Sequence, residues 1–190
     1  MIPLSPAFLI TTASSYTGQG EDPHGTSRGR FVDAVLRQVG APAAALDAQC
    51  STRWDTAFVH YAGFWSHYDV RRGNSSWPLP PLLDPEALHE HATAVGATAR
   101  EPQAGDVFLL ATPRTGRHIR AGIVVEVERR REHPHYETGY ECVTIEGDTN
   151  ACMELGGGQV LRHRRLLAPT VDTIVRWVEL KKRAIVPVAA

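Results

Sequence analysis

The sequence has little cysteine, almost no net charge and no long apolar run, and each shortage removes a class of protein. Its 190 residues contain three cysteines, Cys50, Cys142 and Cys152. An odd number without metal-ligand spacing excludes a disulfide-built scaffold and a cysteine-built zinc site. Three free thiols in a reducing compartment are the expected state, with one disulfide as the alternative. Lys and Arg number 20 against 21 Asp and Glu, a formal net charge of −1. Global charge therefore supplies no attraction to nucleic acid or to an anionic membrane, and no nucleic-acid partner is expected. The apolar runs are far too short to span a bilayer. Residues 1–16 lack a basic opening and their one apolar stretch, 7–10, is short. No secretory signal is expected from that pattern. The expected location is the cytoplasm, or outside it by a route that reads no N-terminal signal. Histidines recur in two pairs, His89-x-His91 and His133-Pro134-His135. Two ligands fall short of the three or four that a zinc site needs, so neither a metal nor another cofactor is expected.

What remains is an ordinary globular mixture, 43% apolar and 22% charged, in a chain long enough for one hydrophobic core. No repeat or linker interrupts it, so the reading is a single domain over 1–190, with a core over 10–166 and a last strand and tail over 167–190. The first half carries helical periods. A helix is expected over 6–16. A second follows a cap at Thr26 or Ser27, with Phe31, Val32, Val35, Leu36 and Val39 on one face before Gly40. A third over 54–67 carries Trp54, Ala57, Phe58, Tyr61, Ala62 and Trp65. A loop over 73–81 precedes Asp84-Pro85-Glu86, a helix opening with a capping acid and proline at the first position; that helix should end near Gly96. The second half changes to short Val- and Ile-rich runs. Strands are expected over 107–111, 119–128, 140–146, 159–166 and 173–180, with a polar loop over 129–138. Helices first and strands second predict an α+β fold, with the helices packed on an antiparallel sheet of about five strands.

Three stretches concentrate the unusual residues. They are Arg53-Trp54-Asp55-Thr56-Ala57-Phe58-Val59, then Pro102-Gln103-Ala104-Gly105-Asp106-Val107 followed by Arg120-Ala121-Gly122-Ile123-Val124, and Thr144-Ile145-Glu146-Gly147-Asp148-Thr149-Asn150. In order and spacing they resemble a CHAP domain, the cysteine- and histidine-dependent amidohydrolase and peptidase branch of the papain-like superfamily. That family shows W-C-x-A-F-V opening a helix, a P-x-x-G-D turn, an H-x-G-I-V strand and an E-G-N turn. Ser27-Arg28-Gly29 adds a likeness to the N-R-G element of some bacterial members. The resemblance covers about residues 10–166. It implies a papain-like fold and, as substrates, the peptide and amide bonds of peptidoglycan. In such a site the helix N-terminus favours a cysteine thiolate, a strand histidine carries its proton, and a carboxylate or amide orients the histidine.

The chain departs from that pattern where the chemistry sits. Asp55 stands at the nucleophile and Arg120 at the base, Asp148 replaces the asparagine, and Glu146 alone matches. A carboxylate is a poor acyl acceptor, and a guanidinium with a pKa above about 12 accepts no proton near neutrality. The resemblance therefore implies a non-catalytic binding or interaction module, in which Asp55 and Arg120 face each other as an ion pair. The cleft would be lined by Trp54, Asp55, Arg120, Glu146 and an exposed Trp77, its ligand a peptidoglycan-derived peptide or a protein partner. Asp55, Glu146 and Asp148 together would suit a hard cation, but Arg120 among them opposes one. An active peptidoglycan hydrolase would need another nucleophile. Cys50 is the candidate, with His118 as base, since His118 and Arg120 should share a strand face. A structural part of a secretion or phage assembly is the third reading. Cys142 is expected in the core, and the arginine-rich segments around 129–131 and 162–165 as solvated charge.

Overall fold

The chain was analysed as a computed structural model, which describes residues 4–22, 29–41, 53–133, 136–149 and 158–180. Four helices occur among the described residues: α1 (Pro6–Ser15), α2 (Arg30–Gln38), α3 (Asp55–Ser66) and α4 (Pro85–Ala94). A small ribbon pairs β1 (Tyr68–Asp69) with β2 (Asn74–Ser75). The main sheet comprises β3 (Thr98–Ala99), β4 (Val107–Ala111), β5 (His118–His133), β6 (Tyr136–Thr149), β7 (Gln159–Leu167) and β8 (Thr173–Val175). All its pairings are antiparallel, in the order β3-β8-β4-β5-β6-β7. The fold is therefore α+β with a sheet of six strands rather than five. Three short strands also lie in the half that reads as helical and loop.

Local chemistry sets the helix ends. Asp84 caps α4 by accepting the N–H of Glu86 at 3.2 Å, Pro85 supplies the first position, and Gly96 follows the helix at φ +65°. Helix α3 buries Ala57, Phe58, Val59, Ala62 and Gly63 around most of its circumference, as a helix laid into a core must. A Cβ on Gly63 would stand 2.1 Å from the Trp77 ring, so the glycine is what lets that indole seat against α3.

The period of two divides the sheet's side chains between two cores. Val107, Leu109, Ala121, Ile123, Ile145 and Val175 face the helices. Phe108, Val124, Tyr140, Cys142, Leu167 and Ile174 form a second cluster on the other side. Cys142 is thus the small core residue its sequence context suggests.

Three expectations are corrected. The stretch over 129–138 is not a loop: β5 runs on to His133 and β6 begins at Tyr136. The exposed ribbon is held by cross-strand charge, with Arg129 Nε 2.6 Å from Glu141 Oε2 and Arg164 Nη2 2.9 Å from Glu128 Oε1. The last strand stops at Val175, and a 3-10 turn over Trp177–Glu179 replaces its remainder. There Trp177 turns into the core and donates its indole N–H to Gly105 O at 2.7 Å. Trp77 is no exposed contact. It is 9% exposed and packs on His67 and Trp177, ring centroids 5.8 and 4.6 Å away. The expected cap at Thr26 or Ser27 and the tail after Lys181 lie outside the described residues.

Candidate functional site

Asp55 is the first residue of α3 and is almost wholly buried. Its Oδ1 accepts the N–H of Thr56 at 2.8 Å and its Oδ2 accepts the N–H of Ala121 at 2.9 Å. The β5–β6 ladder is paired from Ile123 onward, so the Ala121 N–H lies beyond it and takes the carboxyl instead. Burial pushes the Asp55 carboxyl up to about 7, against the pull of those two N–H groups; the Asp148 charge adds to the rise and Arg120 opposes it.

Arg120 does lie on a central strand beside the start of α3, but it does not pair with Asp55. Ala121 faces the helices, so alternation turns Arg120 to the opposite face of β5. On that face its Nη1 reaches Glu146 Oε2 at 2.9 Å and Thr149 Oγ1 at 2.9 Å. The expected Asp55–Arg120 ion pair is replaced by Arg120–Glu146, because Glu146 is the cross-strand neighbour available there. Gly122 makes the room: a Cβ on it would come within 2.8 Å of Glu146 Cγ.

Glu146 is fully buried and saturated. Arg165 grips it with two bonds, Nε to Oε1 at 2.7 Å and Nη2 to Oε2 at 2.6 Å, and Thr144 donates to Oε1 at 2.8 Å. Burial alone would raise its carboxyl, but Arg165 and then Arg120 outweigh burial and hold it below the usual glutamate range. Asp148 sits at φ +52°, a left-handed backbone uncommon outside glycine. Burial, then Glu21, push its carboxyl up to about 6, and its buried Oδ1 has no hydrogen-bond partner among the described residues. His163 Nε2 meets Thr149 Oγ1 at 3.2 Å and closes the cluster.

No protein-family profile, no curated protein and no solved structure matches this chain.

The cluster thus gathers Asp55, Arg120, Glu146 and Asp148. Trp54 adjoins it as a core residue whose indole N–H donates to Glu21 Oε1 at 3.3 Å. Trp77 belongs to the core instead. Cys50, Cys152, Asn150 and His135 lie outside the described residues. His118 is neither a surface residue nor on the face of Arg120. A register shift between Leu110 and Ala111 pairs Ala111 with His118 but Leu110 with Arg120, and this bulge breaks the alternation. The His118 ring turns to Glu86 on α4 and Thr173 on β8. Sequence reasoning missed Arg165, Thr144, Thr149 and His163. Arg165 reads as one of a solvated run, yet its side chain is only 15% exposed.

Proposed function

We propose that this chain is a CHAP-like, papain-related module that binds a peptidoglycan-derived peptide without hydrolysing it. The observation that carries the reading is the Arg120–Glu146 contact, Nη1 to Oε2 at 2.9 Å. In the family, the base and the carboxylate that orients it occupy these two positions. Here the same contact joins a guanidinium that accepts no proton to a carboxylate that is already saturated. Asp55, at the nucleophile position, spends both oxygens on backbone N–H groups. The described thiol, Cys142, is buried on the far side of the sheet from α3, and burial pushes it up to about 12. On this reading the site keeps the family's positions but has neither a thiolate nor an imidazole at them.

Sedimentation with purified peptidoglycan sacculi, followed by chromatography of the supernatant, tests the reading. The protein should travel with the sacculi and release no soluble fragments, before or after treatment with iodoacetamide. Fragment release that stops on Cys50→Ala would replace the reading with an active hydrolase. Failure to sediment would turn the search to a protein partner or an assembly role.

A further inference from the structure

We propose that Glu86, His89 and His118 form a binding site for one divalent transition-metal ion of the zinc class, where α4 meets β5 and β8. The site is separate from the Asp55–Arg120 cluster and does not depend on the function proposed for it. Glu86 and His89 stand three residues apart on α4 and so share a face. His118 opens β5 across from them. Each residue offers a ligand atom within 4.8 Å of the others, the one such group among the described residues. A carboxylate with two imidazoles is a donor set that suits zinc and its neighbours.

The hydrogen bonds fix the ring tautomers. Glu86 Oε2 accepts the backbone N–H of His118 at 2.6 Å and stands 3.1 Å from its Nδ1. A carboxylate only accepts, so Nδ1 carries a proton, and in the neutral ring Nε2 then has the lone pair. That lone pair accepts the Thr173 hydroxyl proton at 3.0 Å, and Thr173 Oγ1 in turn accepts Nδ1–H of His89 at 2.8 Å. The chain of donors ends on His89 Nε2, which is left with a lone pair and no hydrogen-bond partner among the described residues.

A metal entering between Glu86 Oε2, His118 Nδ1 and His89 Nε2 uses this arrangement. The His118 proton moves from Nδ1 to Nε2, so the ring stays neutral, and the Thr173 hydroxyl, which had donated to that nitrogen, turns its own proton toward the open hollow it lines. Thr173 Oγ1 then accepts an N–H from both histidines and orients both. The two rings lie stacked, with centroids 4.1 Å apart and planes 20° from parallel. Two open hollows reach the group, one lined by His89 and Thr173, the other by His118 and Pro85. Either would admit an ion and its water to the three side chains.

Isothermal titration of the full chain without a histidine tag, using zinc and then cobalt(II), decides the matter. One ion per chain is expected, with His89→Gln and Glu86→Gln each weakening it at least tenfold and His91→Gln leaving it unchanged. His89 and Glu86 are partly exposed, so these variants test the site even where a change at buried His118 prevents folding. Bound cobalt(II) should show ligand-field bands without thiolate charge transfer. Absence of binding, binding that survives both variants, or binding lost on cysteine alkylation would each overturn the site.

Discussion

Arg120 and Glu146 meet on the side of the sheet turned away from α3, and Arg165 grips the same carboxylate from β7. One buried acid thus serves two guanidinium groups, and its loss strands both. Glu146→Ala should destabilise by about 3–5 kcal/mol, the range for breaking a buried pair from one side. In a double-mutant cycle, Arg120→Met with Glu146→Gln should cost much less than the sum of the single changes. A cycle of Asp55→Asn with Arg120→Met should show much weaker coupling, because those two groups share no bond. Urea unfolding of the variants measures both. Equal coupling in the two cycles would contradict the partner assignment.

Asp55 imposes a pH dependence of known sign. Its carboxyl is raised from 3.8 to about 7 in the folded chain. The folded state therefore holds a proton that the unfolded state releases between those values, and stability falls as pH rises through the window. At about 1.36 kcal/mol per unit, the loss is on the order of 4 kcal/mol. Asp55→Asn removes this dependence but leaves one of the N–H groups of Thr56 and Ala121 without an acceptor, a cost of about 1–3 kcal/mol. The advantage of the native residue over Asn should shrink from pH 4 to pH 7 and stay level above it. A gap that widens with pH would refute the assignment.

Gly122 should resist even the smallest enlargement. A Cβ there meets the Phe108 ring at 2.6 Å and Glu146 Cγ at 2.8 Å. Gly122→Ala should cost about 1–3 kcal/mol as overpacking and lower the thermal midpoint. Gly116→Ala is the control for backbone strain alone, since Gly116 sits at φ +68° with no atom within 4 Å of its would-be Cβ.

Sequence alone located what local rules govern. The Asp84 cap, Pro85 and Gly96 bound α4 because capping is a matter of a few neighbouring residues. The run over 107–111 reads as a strand because it is buried on both faces. The outer part of β5 was illegible for the opposite reason: residues 128–132 are all exposed, so their polar side chains imitate a loop. Motif order singled out Asp55, Arg120, Glu146 and Asp148 but said nothing reliable of their partners. One residue of alternation sends Arg120 to Glu146 rather than to Asp55, and a bulge sends His118 to α4. Trp77 misleads because its neighbours Ser76 and Pro78 say loop, while the ring that buries it, Trp177, lies far along the chain.

The β5–β6 ribbon has a consequence for how copies of this chain behave together. β7 pairs with β6 only as far as Leu167 opposite Tyr140, so the ribbon's outer part offers backbone groups to any other extended strand. Arg129, Arg130 and Arg131 stand there in sequence, with Arg129 and Arg131 well exposed. Glu128 and Glu132 flank them, and Glu141 pairs with Arg129 and Arg131 across the ribbon, so this open stretch carries dense charge of both signs. A second ribbon arriving edge-on would have to strip water from those charges before its backbone could pair, which is how charged edges discourage sheets from joining.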